Sequence, residues 1–202
     1  MIHIVSINRQ GVLIDLRKSL LSFLAALVFA LTISVVPASA SANDKGYSVF
    51  MQLDGITGEA IDKNYERWIE LSSVAFQLSG DYTNFGSGTG PGVGKTDFDR
   101  FEITKLFDSS SIPILLAAFK GSHIPKGKIV FTRNSSSKGE KLPFLTFELE
   151  DILITNYAFN DTDEVISLSF GKIKWTYTTY DAKGSPNPPQ TGGWSIKENR
   201  QV

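Results

Sequence analysis

The sequence predicts a mainly β fold, with antiparallel strands arranged as a barrel or a two-sheet sandwich and one short helix. Three observations carry this. Between Tyr47 and Thr179, segments rich in branched and aromatic residues recur, mostly alternating apolar with polar side chains and separated by turn residues. The hydrophobic period turns helical only once, over 112–119. Cysteine is absent, so a packed core rather than disulfides must hold the chain. About 160 residues lie beyond an apolar leader, enough for one domain with a sufficient core.

The organisation is a leader over 1–42, a β domain over 43–181 and a tail over 182–202. The leader runs LLSFLAALVFALTISVV from Leu20 to Val36, with Arg17 and Lys18 before it and Pro37-Ala-Ser-Ala-Ser-Ala42 after it. A basic flank, an apolar run and small residues form the layout of a secretory signal, with cleavage after Ala40 or Ala42. No stable membrane anchor is expected after cleavage, and the protein is expected to be secreted or periplasmic.

Each element follows from its local pattern. Tyr47–Leu53 (YSVFMQL) is a strand that stops at an Asp54-Gly55 turn. Arg67–Leu78 reads as one strand, bulged where its alternation falters at Ser72-Ser73. Gly80–Asp97 is a glycine-rich loop, long enough to suggest a functional role. Phe98–Phe107 alternates as a strand. Ile112–Phe119 is the helix, with Ser110 or Ser111 as N-cap, Pro113 in the first turn and Gly121 at the C-terminus. Lys128–Thr132, Leu142–Leu149, Ile152–Asn160 and Val165–Thr179 complete the strands. The tail from Asp181 is rich in Pro, Gly and polar residues and reads as a flexible terminus, with Trp194 and Ile196 able to dock as a small anchor.

Composition excludes several function classes. Twenty Lys plus Arg balance 21 Asp plus Glu, giving a net charge of −1. No field therefore draws nucleic acid or an anionic membrane. Of two histidines one, His3, sits in the leader, leaving His123 alone in the domain. With no cysteine either, paired-His metal sites and His-based triads lack material. The stretch Gly88-Thr-Gly-Pro-Gly-Val-Gly-Lys95-Thr96 imitates a phosphate loop. It carries Thr89 where the first glycine belongs, and a strand rather than a helix follows it.

Acidic residues cluster at Glu148/Glu150/Asp151 and at Asp161/Asp163/Glu164. The first set fits one solvent face of a strand and the second a turn, so paired catalytic carboxylates or a calcium site are not indicated. Trp175, Tyr177 and Tyr180 read as core or cross-strand pairs. No catalytic residue, cofactor or metal is expected.

Three blocks in order carry a resemblance. They are Phe50-Met-Gln-Leu-Asp-Gly-Ile-Thr-Gly-Glu-Ala60 with Trp68-Ile-Glu-Leu71, Asp108–Ser111 with Lys120-Gly-Ser-His-Ile124, and Phe170-Gly-Lys-Ile-Lys-Trp-Thr-Tyr177. Together they resemble the Hcp family, the hexameric tube-forming proteins of type VI secretion, over about Tyr47 to Tyr180. The sequence departs from the family's capped helix in placing proline at 113, one residue late. It departs again in its leader, which the tube-forming members, assembled in the cytoplasm, lack.

The resemblance implies an antiparallel two-sheet β-barrel with one flanking helix. It also implies a structural protein that self-assembles into homo-hexameric rings, stacks them as tubes and carries other secreted proteins in the lumen. The loop over 80–97 then takes the place of the protruding stacking loop, with Tyr82, Phe85 and Val93 as its apolar contacts. The rival reading keeps the barrel as an extracytoplasmic binding module that forms no tubes.

Overall fold

Strand pairing, rather than alternation alone, decides where each element ends. The structure, a computed structural model, describes residues 46–80, 96–134 and 141–202, all within the unit Asn43–Val202. Its strands are β1 (Tyr47–Leu53), β2 (Ile69–Leu71), β3 (Ser73–Gly80), β4 (Thr96–Leu106), β5 (Ile124–Asn134) and β6 (Lys141–Asn160). They continue as β7 (Asp163–Ser169), β8 (Lys172–Tyr177), β9 (Gln190–Ser195) and β10 (Arg200–Gln201). One helix, α1 (Ser111–Lys120), lies among the described residues.

All ladders are antiparallel. β1 pairs along its length with β5, from Tyr47↔Arg133 to Leu53↔Gly127, and over Val49–Met51 with β2. β5 pairs with β6, β6 with β7, β7 with β4, and β4 with β3. β2 and β3 are parted only by Ser72, whose N–H donates to the Thr104 carbonyl at 2.8 Å. The circuit therefore returns to β1 through a bend in the chain rather than through a further ladder. The result is an antiparallel two-sheet β-barrel with a short flanking helix. β8, β9 and β10 extend the first sheet outward from β6.

Three expected boundaries move, each for a physical reason. The strand expected over 67–78 becomes β2 and β3, and the faltering alternation marks a change of sheet rather than a bulge within one. The pair expected over 142–160 is one strand, because Asp151 takes a left-handed conformation (φ 57°) and bends the chain without ending it. Opposite that bend, the N–H of Gly171 donates to both Glu150 and Asp151 carbonyls at 2.9 and 3.2 Å. This pins the junction at which the strand expected over 165–179 splits. β7 turns to β4 and β8 to β9.

The segment 182–202, expected as a flexible tail, is corrected by its pairing. β9 runs against β8 from Lys172↔Ser195 to Tyr177↔Gln190, and β10 folds back on Trp194 and Ser195. Glycines at 192 and 193 had suggested looseness, but Gly192 leaves room for the Trp175 indole, whose Nε1 lies 2.7 Å from where a Cβ would stand. Trp194 and Ile196 pack against the main core, as expected of an anchor.

The core lies between the sheets. Met51, Ile69, Ile129, Leu149, Ile152, Ile166 and Ile173 are fully buried there, with Phe101 set edge-on to Phe170 at 5.5 Å. A smaller cluster covers the outer face of β1 and β5, where the segment 54–68 folds back. There Phe50 stacks on Tyr65 (4.6 Å, 6°), and Tyr65 meets Trp68 edge-on at 5.1 Å. This is why β1 buries residues of both faces. Gly58 makes the fold-back possible, since a Cβ there would sit 2.4 Å from the Trp68 carbonyl oxygen.

Lys141 seals the edge of this cluster. Its ammonium lies 4.4 Å over the Phe50 ring and 3.0 Å from Asp62 Oδ2. Burial pushes the Asp62 carboxyl up. The Asn64 N–H and the Lys141 ammonium outweigh that and hold it below its ordinary value of 3.8.

Candidate assembly surface

The start of α1 is fixed by side chains that composition alone had not singled out. Ser110 occupies the N-cap position, yet its side chain makes no capping bond to the helix. Asp108 Oδ1 accepts from the Ser110 N–H at 2.9 Å instead, and the Ser110 hydroxyl also donates to it. Ser111 is the first helical residue and is fully buried; its Oγ accepts from the Asp108 N–H at 2.9 Å and from Lys105 Nζ at 2.8 Å. At the far end, Gly121 adopts φ 59° and returns its N–H to the last turn, as expected.

Behind Ser111 lies a closed polar network. Lys105 and Glu164 are both 0% exposed and ion-paired. Lys105 Nζ also donates to the Leu106 carbonyl at 2.9 Å and pairs with Asp108 Oδ1 at 2.8 Å. Glu164 accepts from the Ser111 hydroxyl at 2.6 Å and from the Tyr157 hydroxyl. Burial, and then that bond to Glu164, push the Tyr157 hydroxyl well above its ordinary range. One ammonium thus faces two carboxylates, and the N-terminus of α1 supplies further positive potential. No buried polar side-chain atom among the described residues lacks a partner. A charge here would otherwise cost several kcal/mol.

The surface divides into three chemically distinct parts. Outside the first sheet, Glu148 lies between Lys128 (3.3 Å) and Lys174 (3.9 Å), and Glu150 pairs with Lys172 at 2.9 Å. Asp151 holds His123 Nδ1 at 2.6 Å, with both side chains exposed. The acidic set is thus spent on ion pairs, and among the described residues no group of acids or histidines could hold a metal.

The second sheet's outer face carries two rows of mostly short side chains, beside an ion pair of Arg100 with Glu102 at 2.9 Å. Ala75, Glu102, Ser167 and Asn156 form one row across its four strands, and Ser73, Thr104, Val165 and Ala158 the next. Along α1, Ile112, Leu116 and Phe119 are spaced on one face and exposed, Phe119 by 81%. Phe107 and Phe159, also exposed, meet edge-on at 5.7 Å.

Ser110 and Ser111, expected as helix-cap residues, stand at the helix start as described, Ser111 facing the barrel; the expected stacking contacts are a separate set. Tyr82, Phe85 and Val93 lie outside the described residues. Lys105 and Tyr157 were missed, and Glu164, expected in a turn with Asp161 and Asp163, lies instead on β7 with its side chain buried, although alternation carried the signal. Phe101, Ile103 and Lys105 share a face, as do Glu164, Ile166 and Leu168. A charge on each apolar face points to a buried pair.

Comparison with known proteins agrees with this architecture. The family model described as "Type VI secretion system effector, Hcp" matches residues 50–177. Protein hcp1 of Pseudomonas aeruginosa is 22% identical over 161 residues, spanning 76% of this chain and 98% of its own length. A solved type six secretion system protein superposes with a TM-score of 0.68 at 21% identity, covering 77% of this chain and 99% of that one. Hcp1 of Salmonella typhimurium superposes with a TM-score of 0.62 at 23% identity, covering 78% and 99%. A family match across most of the β domain, on a barrel of the same fold, leads to one conclusion: the chain belongs to the Hcp family of type VI secretion effectors.

Proposed function

We propose that this protein is an exported structural subunit that self-assembles into hexameric rings, which stack and carry other secreted proteins in the lumen. The observation that carries the reading is the family match across 50–177 together with the second sheet's outer face. Two rows of that face present Ser, Thr, Ala, Asn and Val across four strands, with Glu102 among them held by Arg100. Short, mostly uncharged side chains make a wall that neither protrudes nor adheres strongly, as a lumen requires. The role is structural rather than catalytic: Glu148 and Glu150 are engaged in surface ion pairs and Glu164 in the network behind α1.

Ring closure needs a heterologous contact that returns on itself, whereas stacking along the axis stays open. The loop over 80–97 supplies the stacking contact through Tyr82, Phe85 and Val93, and the leader over 1–42 directs export. Deleting residues 84–94 is expected to leave the ring mass unchanged and to abolish stacked tubes in negative-stain images. Unaltered stacking would contradict this role for the loop.

A further inference from the structure

The attachment of α1 to the barrel is lopsided. Only Ser111 and Ile114 of its ten residues are buried, and Ser111 faces polar atoms. Ala117 and Ala118 pack partly against the core, while Ile112, Leu116 and Phe119 point away from it. Apolar attachment thus rests mainly on one isoleucine. The network engages the first turn far more closely: Lys105 from β4 holds Ser111 and Asp108, Glu164 from β7 accepts from Ser111, and Tyr157 from β6 donates to Glu164 behind them. Glu59 adds a bond from outside, accepting from the Ser109 N–H at 2.9 Å.

We infer that the Lys105–Glu164–Tyr157 network is a latch: it holds α1 against the barrel, and α1 opens as a unit, without unfolding the barrel, when the network is removed. Two physical arguments support this. A buried ion pair replaced by apolar side chains of similar volume is often neutral for stability, so β4 and β7 do not depend on its charges. A one-turn apolar anchor leaves a short helix near the low end of local stability, because isolated helices of this length are marginal in water. The polar bonds to Ser111 and Asp108 supply what that anchor lacks.

The test is amide hydrogen exchange, followed by mass spectrometry, on the protein expressed from Asn43 onward. In Lys105→Met/Glu164→Leu/Tyr157→Phe, exchange across 111–120 is expected to speed up about tenfold or more while β4, β6 and β7 keep their protection. Unchanged exchange in α1 would overturn the latch, since apolar packing would then suffice. A matching loss of protection in β4 and β7 would also overturn it, since the network would then only stabilise the barrel. Should the triple variant not fold, Ser111→Ala/Asp108→Ala severs the first turn from the network and leaves Lys105 paired with Glu164. Faster exchange confined to α1 supports the latch, and none overturns it. Variant and parent are compared in the same oligomeric state, so the result does not stand or fall with the proposed function.

Discussion

Lys105 on β4 and Glu164 on β7 are direct partners in the ladder, and both side chains turn inward to form a fully buried ion pair. Removing one member strands the other in the core. Lys105→Met alone is expected to destabilise the domain by about 3–5 kcal/mol, read as a lower urea midpoint. A loss under about 1 kcal/mol would mean that water reaches Glu164 in the variant.

Gly58 sets how closely the 54–68 segment folds onto β1. Gly58→Ala places a methyl group 2.4 Å from the Trp68 carbonyl oxygen, which is backbone and cannot swing aside. The expected cost is about 2 kcal/mol in urea unfolding, with reduced near-UV signal from the Tyr65–Trp68 pair. An unchanged midpoint would show that the segment relaxes freely.

The Asp62–Lys141 pair gives a signed dependence on pH. Asp62 is held below its ordinary value of 3.8 in the folded chain, so its contribution is present above that value and is lost as pH falls through the folded one. Asp62→Asn is expected to cost about 0.5–1 kcal/mol at neutral pH. The gap between variant and parent should close once pH falls below that folded-state value. A gap that persists there would assign the effect to packing.

The C-terminal strands make their own prediction. Truncation after Lys183 removes β9 and β10, uncovers the β8 edge and strips Trp194 and Ile196 from the core. The thermal midpoint should fall by about 5–10 °C, with increased tendency to associate through the bared edge. A truncated chain as stable as the parent would restore the flexible-tail reading.

Much of the fold was legible in local pattern. β1 is rich in aromatic and branched residues and stops at Asp54-Gly55, and α1 announces itself by its serines, Pro113 and Gly121, so both fall where the sequence places them. The boundaries that moved depend on partners far along the chain. Nothing local in 142–160 tells one bent strand from two, because the bend at Asp151 is held by Gly171 across the sheet. The tail misled because glycine and proline usually signal looseness, whereas Gly192 is small to admit the Trp175 ring. Ser110 and Ser111 were visible as helix-start residues, but their actual bonds, to Asp108 and to a lysine and a glutamate 59 residues apart, belong to tertiary structure. The family resemblance was legible because its blocks fall in order across the β domain.

The central claim is that this Hcp-family chain is a ring-forming structural subunit. Light scattering coupled to size exclusion, on protein expressed from Asn43 onward, tests it most directly. A species with the mass of six protomers is expected. A strict monomer at high concentration would contradict it and leave the barrel as an extracytoplasmic binding module that forms no tubes.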